Sequence, residues 1–413
     1  MSPTGTPTSL AAEEEAQRRR SIGFLNWAHA LDHYVILIFP TVVIGLETVY
    51  GKSYAELIAL GTASFVAFGV FSLPAGWLAD RWSRRSMMAL FYIGCGLSLA
   101  LAAVAPNLIV LGIALFVLGM FAAIYHPVGM PMLIAAAASR GRTLAFNGVC
   151  GNIGAALAAA TTAALVTWLG WRAAFLVPAV LCVATGIVFL RMVPDDRHKA
   201  ATRSATADVP LGLWIAVVIF GLFVVVALTA GLVFNIVSVA LPKIVDERIG
   251  ESLPLWLVGG IATAVFMCGA LAQLAVGRLV ERFPPHVLFA VIAFLQFLGV
   301  LWAAHATGIE LLVALAVAMA AIYGQVTVND VVIARYTADA WRGRVYAVRY
   351  FLTFVSSGAA VSALALLYAR GGFDLVLATT ALIAVGFVIA TAVIAVLVSG
   401  VERERTRVAQ PAE

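Results

Sequence analysis

Residues 76–85 read GWLADRWSRR, a short charged segment between two long apolar stretches. A related segment, GRLVER at 277–282, follows 201 residues later. Two further matches occur at nearly the same offset: RGRTLA at 140–145 with RGRVYA at 342–347, and Pro40 with Pro242. Three matches in the same order indicate that the chain contains two copies of one structural unit.

The composition is that of a membrane protein. Of 413 residues, 63% are hydrophobic and 11% are charged, and the mean hydropathy is +1.02, whereas about a quarter of a soluble domain is charged. Apolar runs of about 18 or more residues recur along the chain, as expected for transmembrane helices. The four cysteines stand singly in apolar segments and show no metal-binding or disulfide spacing. The sequence therefore predicts an all-α integral membrane protein.

The apolar runs predict twelve transmembrane helices. Their expected bounds are 22–46, 55–79, 86–105, 108–136, 143–169, 173–192, 211–241, 254–277, 286–305, 311–334, 344–369 and 375–400. The repeat then divides the chain into a tail (1–21), a six-helix lobe (22–192), a polar linker (193–210), a second six-helix lobe (211–400) and a second tail (401–413). Parallel duplication of six helices is typical of transporters that rock two lobes around a central site.

The distribution of basic residues predicts the orientation in the membrane. With this set of spans, twenty of the 26 lysines and arginines fall on the side of both termini and five on the other. Because cytoplasmic loops carry the excess of Lys and Arg, both termini are expected in the cytoplasm, with the protein in the cell (inner) membrane. The net charge of +5 follows from this distribution and does not indicate nucleic-acid binding.

The segment 76–85 resembles the signature loop between helices 2 and 3 of the major facilitator superfamily, and the superfamily pattern extends over the whole chain. Ser83 stands where that family usually has glycine. The resemblance implies the twelve-helix, two-lobe fold. It also implies a conformational lock between the lobes on the cytoplasmic face, which favours the outward-open state. The residues expected in this lock are Gly76, Asp80, Arg81, Arg84 and Arg85.

Three further segments resemble the fosmidomycin-resistance branch of exporters within that superfamily. They are His29–Asp32, Tyr125–Pro127 and the glycine-rich stretch 147–154. This resemblance implies proton-driven efflux of small, often anionic compounds. The fifth predicted span departs from many drug/proton antiporters, because it has Ala158 and Ala159 and no Gly-Pro pair.

The stretch 29-HALDHY-34 places charge-bearing side chains about 15 Å into the first span. A carboxylate near the centre of a membrane helix costs about 2.5–3.5 kcal/mol, so such acids usually serve a function. His29, Asp32 and His33 occupy positions i, i+3 and i+4 and share one helical face. Histidine exchanges protons near neutral pH. We therefore predict that these three residues bind and release the coupling proton, although histidines that only join helices would look the same.

Other polar residues inside the spans are candidates for binding substrate. His126 precedes Pro127, which removes a helical hydrogen bond and loosens the fourth span. Arg349 can bind an anionic group, extend to the cytoplasm, or pair with Asp330. The remaining candidates are Tyr125, Asn147, Asn152, Asn235, Tyr323, Gln325 and Asn329. The glycines at 148, 151 and 154 are expected to allow close helix packing.

Taken together, these features predict a proton-coupled secondary transporter that exports a small organic compound, with an anionic group if Arg349 binds it. Its expected partners are the substrate, protons and the lipid bilayer, with no nucleic acid and with a monomer as the functional unit. No cofactor is expected beyond the proton gradient as driving force, and no Walker motif is present. Alternatives are an organic-acid symporter, a divalent-metal transporter with His29, Asp32 and His33 as ligands, and an intramembrane metalloenzyme. The ligand set is short for an enzyme, so none is expected.

Overall fold

The structure, a computed structural model, describes residues 7–137, 140–195, 213–250, 253–337 and 339–409. All regular secondary structure in these ranges is helical. The helices are α1 (Pro7–Tyr50), α2 (Tyr54–Arg81), α3 (Arg84–Ala103), α4 (Leu108–Ala122), α5 (Met130–Ala136), α6 (Arg140–Leu169), α7 (Trp171–Met192), α8 (Leu213–Arg248), α9 (Leu255–Leu279), α10 (Pro285–His305), α11 (Gly308–Tyr336) and α12 (Asp339–Ala409).

The helices depart at two places from the simple pattern of one helix for each predicted span. The fourth predicted span consists of α4, a π-helical turn at Tyr125–Gly129 and α5. In contrast, α12 contains the eleventh and twelfth spans, because the backbone leaves helical geometry at Gly371 and Gly372. Gly372 has φ of +59°, a conformation that glycine adopts without a steric penalty. This break falls between the predicted bounds 369 and 375.

The described helices have the length and composition needed to cross a membrane. Within the described ranges, eleven helical stretches are long and apolar enough, and the last, Phe351–Arg403, has 53 residues. At 1.5 Å per residue that stretch is about 80 Å long, which is enough for two crossings of a core about 30 Å thick. Large apolar side chains face outward, among them Ile109 (76% exposed) and Trp214 (77% exposed). The prediction of an all-α membrane fold is confirmed.

Short polar sequences begin several helices. Ser53 and Glu56 form a capping box at the start of α2, which satisfies two backbone N–H groups. Ser83 caps α3 by accepting a hydrogen bond from the backbone N–H of Ser86, and its hydroxyl donates to Asp195 at 2.9 Å. The side chain of Ser83 therefore has two structural partners at the position where the family usually has glycine.

Helices α1 to α7 form the first lobe and α8 to α12 form the second. The lobes meet where α2 packs against α12, where α6 packs against α9 and where α1 approaches α8. The predicted linker is described only at residues 193–195, since 196–212 lie outside the described residues. Helix α1 begins at Pro7 and continues without interruption past the predicted tail boundary at residue 21. The remaining domain bounds stay predictions.

Candidate functional site

The predicted face of α1 is occupied by two histidines in direct contact. Nε2 of His33 lies 3.2 Å from Nε2 of His29, and the two ring centroids are 5.0 Å apart. His29 is buried and His33 is half-buried. Gly151 on α6 leaves the space for the His29 ring, since a Cβ there would lie 2.7 Å from Nε2 of His29. The two histidines therefore share one face of α1, as their spacing predicted.

Asp32 pairs with a histidine of another helix segment. Its Oδ2 lies 3.3 Å from Nε2 of His126, which stands on the π-helical turn that precedes α5. The carboxylate is almost fully buried, and its Oδ1 has no hydrogen-bond partner among the described residues. Such π-helical turns often occur at functional sites. The sequence predicts His126 as a substrate-binding residue, whereas the structure brings it into one cluster with His29, Asp32 and His33.

Asn147 connects this cluster to the rest of the first lobe. Its backbone carbonyl accepts a hydrogen bond from Nδ1 of His29 at 2.8 Å, and its side chain accepts from the Tyr125 hydroxyl at 3.1 Å. The side-chain amide also donates to Asn26 at 3.0 Å. Since Asn147 and Tyr125 are fully buried, these two predicted substrate-binding residues act in this state as supports for the histidines. Asn26 had no signal in the sequence beyond its polarity.

The cluster also lies against the second lobe. The His126 ring centroid is 5.1 Å from that of Phe354 on α12, and Phe354 packs edge-on against Phe68 of α2. Close to this point the backbones of α2 and α12 are in direct contact. A Cβ added at Gly69 would lie 2.7 Å from the Phe354 carbonyl oxygen. The cluster therefore lies directly at the contact between the lobes.

The predicted polar residues of the second lobe fall into two groups. Tyr323, Gln325 and Asn329 on α11 are buried, and each has a side-chain oxygen without a hydrogen-bond partner among the described residues. Buried groups of this kind usually find a partner in a bound molecule or water. Asn235 instead donates to the carbonyl of Gly231 in its own helix at 2.8 Å, so its amide is partly satisfied without a substrate.

Arg349 is buried and forms an ion pair with Asp330, which is one of the alternatives that the sequence left open. The guanidinium of Arg349 therefore already has a carboxylate partner. A substrate anion would have to compete with Asp330, so this pair weakens the expectation of an anionic substrate.

Asn152 contributes to the seam between the lobes. Its amide donates to Gln273 on α9, a residue that the sequence analysis missed because a single glutamine inside an apolar span has no distinctive spacing. Further along the seam, the hydroxyl of Thr263 accepts a hydrogen bond from the backbone N–H of Ala160 at 3.0 Å and donates to the carbonyl of Ala156 at 2.6 Å. The structure thus places Asn152 between the lobes.

The residues of the predicted conformational lock contact the first lobe. Asp80 pairs with Arg84 at 3.1 Å, and the Arg81 guanidinium lies 4.1 Å from the Trp77 ring centroid. Arg85 donates to the backbone carbonyls of Leu190 and Val193 at the end of α7. A Cβ on Gly76 would lie 3.3 Å from Pro127. The predicted link between the lobes stays a prediction.

At the end of the bundle opposite the lock segment, a polar network joins the lobes. Lys243 on α8 contacts Glu47 on α1 at 2.5 Å and Asp246 at 2.9 Å. The Tyr368 hydroxyl on α12 donates to Glu247 at 2.6 Å, and its ring packs edge-on against Tyr54 of α2. Because Lys243 and Glu47 are unrelated by the repeat offset, the sequence comparison did not find this pair.

Neutralising Glu47 is expected to open this end of the protein. In Glu47→Gln, Lys243 keeps its contact with Asp246 but loses its ion pair with the first lobe. The population of the arrangement in which the lobes meet at this end, relative to the arrangement in which they are apart, should therefore fall about fivefold to tenfold. Distances between spin labels on the ends of α1 and α8 measure the change. Glu310→Gln, an exposed acid at the start of α11, is the control. Equal distance distributions in wild type and Glu47→Gln would contradict the role of this pair.

A duplicated bundle of apolar helices, with polar residues buried along the seam between its halves, is the architecture of a secondary membrane transporter. The sequence pattern of the Major Facilitator Superfamily matches residues 22–329. The chain belongs to this superfamily. It is therefore a multi-pass membrane protein of this superfamily, as the signature segment 76–85 indicated.

The chain is similar to proteins that are named for different compounds. The chain is 29% identical over 237 residues to a chloramphenicol resistance protein of Streptomyces lividans, covering 55% of this chain and 58% of that protein. It is 25% identical over 283 residues to a probable 4-methylmuconolactone transporter of Cupriavidus pinatubonensis, covering 66% and 65%. The chain thus spans less than two thirds of the length of either of these relatives.

Among solved structures, a bacterial homolog of the human lysosomal transporter Spinster has the same fold. The TM-score is 0.68 at 14% sequence identity, and the alignment covers 96% of this chain and 99% of the other. At this level of identity the match defines the fold alone. Both lobes are included in it.

Proposed function

We propose that this protein is a proton-coupled secondary transporter that exports a small organic compound by alternating access. The observation that carries the proposal is the buried carboxylate of Asp32 facing His126 across two segments of the first lobe. Uptake of a proton there removes one negative charge from the interior, and the cluster lies next to Phe354 of the second lobe. Proton binding can therefore favour one arrangement of the lobes over the other.

The proposed substrate region lies along the seam between this cluster and α11. Tyr323, Gln325 and Asn329 have unpartnered side-chain oxygens in the described part of the chain. Two of these oxygens are amide carbonyls, which accept hydrogen bonds. They favour a neutral or mixed polar compound with donor groups, and Arg349 takes part only if the substrate displaces Asp330.

Export is the direction that we propose, together with membership of the fosmidomycin-resistance branch. The support is the resemblance in segments 29–32, 125–127 and 147–154 and the likeness to a resistance protein. We also propose that the monomer is the functional unit. The distribution of basic residues favours both termini in the cytoplasm, with the protein in the inner membrane. An organic-acid symporter is the second candidate, favoured by the likeness to a probable 4-methylmuconolactone transporter.

A ligand screen followed by flux measurement tests the proposal. Purified protein is screened by thermal shift against resistance-type compounds and organic acids, and each stabilising compound is then added to proteoliposomes with a pH-sensitive dye in the lumen. We expect compound and protons to move in opposite directions. Movement in the same direction would identify the symport alternative, and compound flux with no change in luminal pH would contradict proton coupling.

A further inference from the structure

The histidines of the first lobe converge more closely than the sequence suggested. One ring nitrogen from each of His29, His33 and His126 lies within 4.8 Å of the others. The pair His29–His33 is already at 3.2 Å. Two nitrogens bound to one zinc ion in tetrahedral geometry are about 3.3 Å apart, given Zn–N distances of about 2.0–2.1 Å. The third histidine therefore needs to move by less than about 2 Å to complete such a set.

The hydrogen bonds of His29 determine which nitrogen is available. Nδ1 of His29 must carry a hydrogen, because its partner is the Asn147 carbonyl oxygen at 2.8 Å. In the neutral ring, Nε2 then has a lone pair that points toward His33. At metal sites, a histidine ligand is oriented in the same way, because the ring nitrogen that does not bind the metal donates a hydrogen bond to a backbone carbonyl or a carboxylate.

Asp32 adds a carboxylate to the same place. Its Oδ2 faces His126 at 3.3 Å, and its Oδ1 is buried without a hydrogen-bond partner in the described ranges. A carboxylate beside a histidine ligand either orients the ring or supplies a further ligand. This unpartnered oxygen is an observation independent of the three rings.

We propose that His29, His33 and His126 form a binding site for a divalent first-row transition-metal ion, with Asp32 as its carboxylate neighbour. Imidazole nitrogen suits Zn²⁺, Co²⁺, Ni²⁺ and Cu²⁺, whereas Mg²⁺ and Ca²⁺ prefer sites made of oxygen. The set differs from the one suggested by spacing on α1, because His126 supplies the third nitrogen from a second helical segment. The bound ion would join α1 to the π-helical turn. The inference does not depend on which compound is transported.

Cobalt binding in detergent tests the site without any transport. Full-length protein, purified without a polyhistidine tag, is titrated with Co²⁺ while visible absorption is recorded, since tetrahedral Co²⁺ absorbs far more strongly than the hydrated ion. We expect one ion per chain and an affinity at least about tenfold lower in His33→Gln and in His126→Gln. Competition with Zn²⁺ should remove the absorption.

His305→Ala is the matched control, because this histidine is exposed at the end of α10. Binding retained in the control and lost in the triple variant of His29, His33 and His126 supports the site. Absence of Co²⁺ binding by the wild type overturns it, and so does binding that survives in the triple variant or disappears with His305→Ala. Size-exclusion profiles establish that each variant is folded. Failure here leaves proton coupling untouched, since that is measured by flux.

Discussion

Asp32→Asn is expected to abolish proton movement and driven accumulation of substrate while leaving substrate exchange intact. Asparagine keeps the size of the side chain but cannot take up a proton, so the two lobe arrangements no longer differ in proton affinity. Exchange of labelled for unlabelled substrate across proteoliposomes needs binding and lobe movement but no gradient. We therefore expect the driven component to fall to the level of empty liposomes, with exchange within about threefold of the wild type.

Glu310→Gln is the control for this experiment. Glu310 is an exposed acid at the start of α11. It should retain both proton movement and accumulation. If Asp32→Asn carries protons with substrate as the wild type does, the role assigned to Asp32 is wrong. A variant that loses stability and exchange together would instead assign Asp32 to helix packing.

The second large effect is expected from Gly154→Ala. A Cβ at this position would lie 2.0 Å from the carbonyl oxygen of Ala30 and 2.6 Å from its carbon. Because both atoms belong to the backbone of α1, the clash can be relieved only by separating α1 from α6. Overpacking of this kind costs about 1–3 kcal/mol or more. We expect a clearly lower melting temperature and a smaller yield of monodisperse protein, measured by thermal unfolding and size exclusion.

Gly148→Ala on the same helix is the matched control. Its Cβ would meet only the end of the Gln273 side chain, at 3.4 Å, and that side chain can move. The melting temperature should therefore stay close to that of the wild type. If both substitutions have equal effects, the loss of stability reflects a general intolerance of α6 to alanine and not the contact between Gly154 and Ala30.

The fold was largely predictable because the membrane restricts the choice of structure. Backbone groups in a bilayer must satisfy one another within a helix, so runs of apolar residues identify helices directly. The repeat of residues 76–85 at 277–282 then predicted two lobes. The π-helical turn at 125–129 was only partly predictable. Pro127 indicates that one helical hydrogen bond is missing, but it does not indicate that the chain forms a π-helical turn there.

The site was less predictable, because spacing along one helix determines only which residues share a face. His29 and His33 share a face of α1 as their spacing predicts, but the partner of Asp32 comes from a segment 94 residues later. Asn147 is polar and lies in a span, but its burial and its hydrogen bond with Tyr125 depend on packing that the sequence does not show. The pairing of Arg349 with Asp330 was one of three alternatives, and only the three-dimensional arrangement distinguishes them.

Arg248 shows how the second lobe is expected to move. Its guanidinium donates to the carbonyls of Ala303 and Ala304 at the end of α10 and contacts Asp374 just beyond the break in α12. One side chain thus fastens three helix ends to each other. We therefore expect the second lobe to tilt as a single rigid body, without bending at Gly371 and Gly372. The movement needed for transport then takes place between the two lobes.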